Sequence, residues 1–360
     1  MTQAQLENFI VYLQNENWEV FGPTLVAKEG IPEEEISPYI AAHQLPPKKE
    51  KGIILIKPTL KPHELILDEL LPFFSFKRFF VPEKEKLFDY KKGNTEETRQ
   101  NQKIALLGVN ILDLKSINLY DQVFEKDFYY QARRKNILVV GHALLPEIEN
   151  NIFEYKFEED ILEHLPFDIF LAAKNRDQKP KITNYKLFTG SIKGQRILDH
   201  FGYKNFEHIQ FSGPVKEGKL DEQMIFLRDK LKNHHNPKIW EELGARCIEC
   251  GKCTVVCPTC FCFRIDDEPA LKENTGLRAR CWDSCYYQEF SEVSGPDAPG
   301  HGKPKFLSNT AQRIHFWYFH KFARIPDEFD FMGCVGCRRC AKVCPVGIDI
   351  TEVLKNIEQS

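Results

Sequence analysis

The chain has 360 residues, 42% hydrophobic and 28% charged, a soluble globular mix with enough length for two domains. Its 49 basic residues against 52 acidic leave a formal charge of −3, which gives no global electrostatic case for nucleic acid or an anionic membrane. No apolar run reaches the roughly 18–20 residues of a membrane span. With no lysine or arginine before Lys28 and no apolar core near the start, a secretory signal is not expected and a cytoplasmic location is.

In chain order, Leu6, Ile10, Val11 and Leu13 mark an amphipathic helix, and residues 18–26 a strand. A charged, proline-bearing connection at 46–51 precedes a strand at 53–56 and a helix at 64–71. Five phenylalanines within 73–80 read as core or inter-domain packing. From Lys103 the rhythm becomes strand, helix, strand, at 104–109, 112–124 and 136–140. Strands at 167–172 and 185–188 and a helix at 193–201 continue it, which predicts a mixed α/β-type domain with some parallel pairing. Gly218 and the polar run to Lys238 mark a boundary, with a helix at about 220–232. The expected fold is therefore α+β, with a mixed domain over 1–238 and a second domain over 239–360.

All twelve cysteines lie between Cys247 and Cys344, and the first 246 residues have none. Clustered cysteines in a reducing compartment point to metal ligands or redox groups more than to a disulfide framework. Cys247, Cys250, Cys253 and Cys257, followed by Pro258, are spaced three, three and four residues apart. Cys334, Cys337, Cys340 and Cys344, followed by Pro345, repeat that spacing without a slip. Three cysteines at three-residue steps let one loop wrap three irons of a 4Fe–4S cube, and a fourth before proline serves the other cluster of a pair. On that logic one cluster takes Cys247, Cys250, Cys253 and Cys344, and its partner takes Cys334, Cys337, Cys340 and Cys257. The competing reading is a zinc-binding structural protein, since C-x-x-C pairs also build zinc ribbons; it leaves the third and fourth cysteines and the prolines unexplained.

Residues 258–333 separate the motifs, far more than in a compact ferredoxin, and Ser308-Asn309-Thr310 precedes an aromatic-rich run that reads as a capped helix. With a final helix at 351–357, the second domain is expected to be an α-helical ferredoxin domain with two 4Fe–4S clusters. Arg246, Lys252, Arg338, Arg339 and Lys342 flank the motifs, as local counter-charges or as ordinary solvated ones. Cys260, Cys262, Cys281 and Cys285 either hold a further metal or pack as small buried thiols. Gly190–Gly194 lacks the spacing of a phosphate loop. His142, His315 and His320 read as structural, and no nucleophile–base pair stands out, so no catalytic residue is expected.

The stretch 246–267 with Cys257-Pro-Thr-Cys260-Phe-Cys262, then Trp282-Asp283-Ser284-Cys285, Gly333–Cys337 and Cys344–Ile350, resembles the beta subunit family of sulfhydrogenase-type cytosolic nickel–iron hydrogenases. That family is related to one of the subunits of anaerobic sulfite reductase. Weaker likeness runs through 79–88, Gly108-Val109, 127–134 and Phe167-Asp168. The resemblance implies an electron-transfer subunit of a hetero-oligomer, relaying electrons between a flavoprotein that handles NAD(P)H and the nickel–iron hydrogenase small and large subunits. It implies the eight motif cysteines as ligands of two 4Fe–4S clusters, and a sulfite reductase complex as the alternative setting. Cys260, Cys262 and Cys285 match cysteines common in that family, and Cys281 does not. Family members often carry further cysteines after the Gly-Val strand and in a later Cys-Phe-Cys stretch; residues 110–113 and 142–150 have none here.

Overall fold

The computed structural model describes residues 1–26, 53–59, 61–91, 94–97, 102–144, 148, 159–173, 184–214, 222–233, 237–271, 275–293 and 303–359. The connection expected at 46–51, and Gly218 of the expected boundary, lie outside them.

Helix α1 (Gln3–Asn15) opens on a capping box: the Gln5 amide donates to Thr2 Oγ1, and the Thr2 amide donates back to Gln5 Oε1. Strands β1 (Glu19–Val26) and β2 (Ile53–Pro58) come next, then short α2 (Lys77–Phe80), β3 (Lys84–Lys91) and β4 (Asn94–Glu97). The alternating stretch is β5 (Ile104–Val109), α3 (Ile111–Val123), α4 (Phe128–Lys135), β6 (Ile137–His142), β7 (Ile169–Ala173), β8 (Tyr185–Thr189), α5 (Ile192–Phe201) and β9 (Phe206–His208).

Seven of these strands form one sheet in the order β2-β1-β5-β6-β7-β8-β9. Its centre, β1-β5-β6-β7, is parallel, with β2 and β8 antiparallel additions. Strands β5 and β6 are near-continuous apolar runs because both faces are covered. Leu106, Ile137 and Val139 pack with Ile117, Tyr120 and Tyr130 of α3 and α4. On the other face, Ala105, Leu107, Leu138 and Val140 pack with Leu6, Phe9 and Ile10 of α1 and Leu198 of α5. The period-two alternation of β5 and β6 thus builds two cores from one strand pair.

The helix expected at 64–71 is not formed. A single 3-10 turn, Pro62–Glu64, is followed by chain whose Ile66 amide donates to the Pro23 carbonyl at 2.9 Å. Asp68 Oδ1 accepts from the Leu70 amide at 2.8 Å, and Pro72 ends the segment. Leu65 and Leu67 are spent on the sheet core instead of on a helical face.

The C-terminal part runs α6 (Glu222–Asn233), α7 (Pro237–Arg246), α8 (Lys252–Val255), β10 (Phe263–Pro269), β11 (Thr275–Trp282), α9 (Thr310–Phe319), α10 (Ile325–Phe329), α11 (Arg339–Val343) and α12 (Ile350–Gln359). Asn309 caps α9, its Oδ1 accepting from the Gln312 amide at 2.9 Å. Leu227 and Leu231 of α6 share a core with Trp240, Trp317, Tyr318, Val353 and Leu354, so α6 packs with the later helices. The fold is α+β, and the helical cysteine-rich part also carries the hairpin β10–β11.

That hairpin reaches back across the chain. The second sheet runs β10-β11-β3-β4, all antiparallel, so strands from both sides of residue 238 share it. Trp282 at the end of β11 donates to the Val81 carbonyl at 2.8 Å and joins the core under α3. Arg280 pairs with Glu85 and, at 2.6 Å, with Asp127. Helix α3 is buried from Ile111 to Tyr120 on all its sides, the signature of a helix enclosed in a protein interior.

Candidate metal centre

The two cysteine motifs fold the same way. Counting from the first cysteine, positions +2 and +4 are left-handed in both: Glu249 (φ 56°) and Gly251 (φ 68°), then Gly336 (φ 65°) and Arg338 (φ 54°). Each leads into a short helix, α8 carrying Cys253 and α11 carrying Cys340. Left-handed residues at those two places curl the backbone around its own sulfurs. The Glu249 amide donates to Cys247 Sγ at 3.4 Å, and the Gly336 amide donates to Cys334 Sγ at 3.4 Å. Glu249 and Arg338 are non-glycine residues in this region, and each is held by an ion pair, to Arg313 and Asp349 respectively.

Cys247, Cys250, Cys253 and Cys344 line one cavity of about 40 Å³, walled by Tyr286 and Trp317. Cys344 comes from the second motif, and the Ile348 amide donates to its Sγ at 3.2 Å. In the other direction, Cys257 lies in the field of Cys334, Cys337 and Cys340. The fourth, proline-preceding cysteine of each motif therefore lies beside the triplet of the other. The two groups adjoin, since Cys340 also borders the first cavity and feels Cys253.

Burial pushes the thiols of Cys247, Cys253, Cys337 and Cys340 up, and that of Cys334 to about 12. A bare thiolate is disfavoured at these positions, and a bound metal is what makes deprotonation favourable. Among the described residues, no three His, Cys, Asp or Glu side chains are gathered for a single metal ion. Four cysteine thiols are the donor set of a 4Fe–4S cube, so the residues present fit that group.

Cys257 is the exception to the upward trend. The neighbouring Cys260 thiol donates to it, and the Lys321 ammonium faces it, and together they pull it well below the ordinary thiol range. Lys321 is buried, and its Nζ donates to Cys257 Sγ at 3.3 Å, Thr259 Oγ1 at 3.0 Å and the Gly333 carbonyl at 3.0 Å. It stands on a π-helical turn, His320–Arg324, between α9 and α10. Such widened turns re-aim side chains and concentrate at functional sites. Thr259 Oγ1 also donates to the Gly333 carbonyl at 2.7 Å, tying the end of one motif to the start of the other.

Of the five flanking cations, Arg339 is the most engaged: it is 3% exposed and bonded to Asp113 of α3. Arg246 donates to the Val346 and Gly347 carbonyls at 3.2 Å. Lys321 and the equally buried Lys77 carried no signal in the sequence, because each sits inside an aromatic run that reads as plain core.

The four remaining cysteines divide three to one. Cys260, Cys262 and Cys285 converge beside Cys257. Cys281 points elsewhere: it is a β11 residue between Arg264 of β10 and Lys84 of β3, with its thiol beside Asp266. No four-cysteine site of Cys260, Cys262, Cys281 and Cys285 is assembled among the described residues. Where related chains would place cysteines after the Gly-Val strand, Leu112 packs instead with Val335 and Cys337, joined by Leu71 and Ile148.

The 4Fe–4S dicluster domain family matches residues 246–348. The chain is 29% identical over 308 residues to the sulfhydrogenase 2 subunit beta of Pyrococcus furiosus, covering 82% of this chain and 86% of that protein. No solved structure matches. No described helix is long and apolar enough to cross a membrane. Residues 246–348 thus match the 4Fe–4S dicluster domain family, within a chain similar along most of its length to the beta subunit of a sulfhydrogenase.

Proposed function

We propose that this protein is the iron–sulfur electron-transfer subunit of a cytoplasmic hydrogenase-type oxidoreductase. It carries electrons between a flavoprotein that handles NAD(P)H and the small subunit of a nickel–iron hydrogenase. One 4Fe–4S cluster is held by Cys247, Cys250, Cys253 and Cys344, and the other by Cys334, Cys337, Cys340 and Cys257. When bound, each cluster supplies reversible one-electron transfer. The chain's own residues hold the clusters side by side, exclude water with Tyr286 and Trp317 and set the local charge through Lys321 and Arg339. The observation that supports this reading is the position of Cys344 beside Cys247, Cys250 and Cys253 and of Cys257 beside Cys334, Cys337 and Cys340, which a pair of separate zinc knuckles does not need.

The test is an anaerobic pull-down of the tagged full chain from its own host, with metal analysis of what co-purifies. A nickel–iron catalytic subunit together with a flavoprotein is the expected result. Sirohaem-containing partners would move the terminal reaction to sulfite reduction, and zinc without sulfide would end the relay reading.

A further inference from the structure

Lys321 meets the two cysteine motifs at one point. Its Nζ donates to Cys257 Sγ, in the first motif, at 3.3 Å, and to the carbonyl of Gly333, the residue before Cys334, at 3.0 Å. Thr259 Oγ1 accepts from the same ammonium at 3.0 Å, and its own proton goes to the Gly333 carbonyl at 2.7 Å. The ammonium that touches the Cys257 sulfur belongs to a side chain only 2% exposed.

The backbone brings it there. Lys321 lies on the π-helical turn His320–Arg324, and the Gly333 amide donates to the Lys321 carbonyl at 2.9 Å. A Cβ on Gly333 would stand 2.7 Å from that carbonyl oxygen and 2.8 Å from Lys321 Cα. Glycine is what allows the turn and the second motif to approach so closely.

The charge of Lys321 is not offset by a carboxylate among the described residues; its partners are the sulfur, the hydroxyl and the carbonyl. The other cations nearby are committed elsewhere. Arg324, on the same turn, pairs with Glu328 at 2.9 Å, and Arg339 gives both prongs to Asp113. Lys77 lies against the Thr254 carbonyl and the Trp282 ring. The first foursome has a different setting. Cys247, Cys250, Cys253 and Cys344 are all half-buried, and the one charged side chain lining their cavity, Lys252, is itself partly exposed. Water screens such a charge, whereas a buried one acts at close range through a low dielectric.

We propose that Lys321 is a positioning residue for the second cluster, one that raises its reduction potential above that of the first. Reduction adds one negative charge to a cluster, and burial alone would make that harder at the second foursome, where Cys257 and Cys337 are buried. A cation in contact with one ligand sulfur favours the reduced form and reverses the order. The inference rests on the two-cluster reading and adds an order of potentials to it.

The test is an anaerobic redox titration of the full chain and of Lys321→Met, followed by low-temperature electron paramagnetic resonance (EPR). The two signals are assigned by their loss in Cys257→Ala and in Cys344→Ala. Both titrated proteins should hold about 8 irons, and in the unaltered chain the signal that needs Cys257 should have the higher midpoint. In Lys321→Met that signal should lose at least a factor of ten in its reduced-to-oxidised ratio at fixed potential, about 59 mV for one electron. The signal that needs Cys344 should stay where it was. A lower midpoint for the Cys257 signal in the unaltered chain, unmoved potentials, or an equal shift of both signals would overturn the proposal. Should Lys321→Met not fold, Lys321→Gln decides, because it keeps a donor and removes the charge: the same one-signal fall supports the proposal, and its absence overturns it. Unmoved potentials with about 8 irons would remove this proposal alone, whereas an unaltered chain without iron would remove the two-cluster reading along with it.

Discussion

Arg339 donates to both carboxylate oxygens of Asp113, at 2.7 and 3.0 Å, across 226 residues of chain. The pair is 3% and 1% exposed, and Arg339 adds a 3.0 Å bond to the Pro72 carbonyl. Arg339 lies between two cysteines of the second motif, and Asp113 lies in the first turn of α3, under the cap of Asn110. The mixed sheet and the cysteine-rich part are thus joined by a buried, two-pronged ion pair beside the candidate centre. Removing one partner of such a pair leaves the other charge buried alone. Asp113→Ala is expected to destabilise the protein by about 3–5 kcal/mol, measured by denaturant unfolding of the full chain. A change below about 1 kcal/mol, the range of exposed pairs, would mean the pair is solvated.

The exchange of proline-preceding cysteines gives a directional prediction. Cys257→Ala should damage the cluster held by Cys334, Cys337 and Cys340, although Cys257 is contiguous with the other triplet. Cys344→Ala should do the reverse. Comparing EPR spectra of the two reduced variants decides it. Loss confined to the cluster of the mutated motif contradicts the exchange.

Two glycines separate backbone strain from crowding. Gly251 (φ +68°) would place a Cβ 2.7 Å from the Tyr287 ring, whereas Gly347 (φ +66°) would meet nothing within 4 Å. Both alanine substitutions incur the left-handed penalty of roughly 1–2 kcal/mol. Gly251→Ala must displace Tyr287 as well, and is expected to lower the melting temperature further than Gly347→Ala. Equal shifts would show that the motif loop gives way freely.

Burial holds His142 to about 4, and His320 is pushed to about 4 by burial and by Lys321 and Arg324. Both are neutral in the folded protein at pH 6, while the unfolded chain begins to take up protons near pH 6.5. The unfolded state therefore binds more protons between about pH 6.5 and 4, and stability falls as pH drops through that window. The slope is at most about 1.4 kcal/mol per pH unit for each histidine. His142→Gln should flatten the profile measured by urea unfolding. An unaltered profile would mean that His142 is not held neutral.

The shared sheet makes the mixed part dependent on the cysteine-rich part. A fragment ending at Lys238 would strip β11 from β3, take Trp282 out of the core under α3 and leave Glu85 and Asp113 without Arg280 and Arg339. Such a fragment is expected to aggregate or to show broad, non-cooperative unfolding, measured by circular dichroism. Sharp unfolding of a soluble fragment would show that the sheet contacts are dispensable.

How much of the molecule is legible in its sequence depends on the physics of each signal. Residues 104–109 and 136–140 announce buried parallel strands because both of their faces are covered, so nearly every position is apolar. The cysteine motifs announce themselves by spacing, and the structure brings each triplet together with the distant fourth cysteine. The hairpin β10–β11 was illegible: its first strand, FRIDDEP, is mostly exposed, and its second strand pairs with β3, about 190 positions earlier. Residues 64–71 have helical composition, but the sheet claims the Ile66 amide and the flanking leucines first. Lys77 and Lys321 look like solvated charges in apolar runs, and only the folded chain reveals that both face sulfur.

The most direct measurement is quantitation of iron, acid-labile sulfide and zinc in the full chain purified without oxygen. The account predicts about 8 irons with matching sulfide, and no stoichiometric zinc. One or two zinc ions per chain with no sulfide would contradict it.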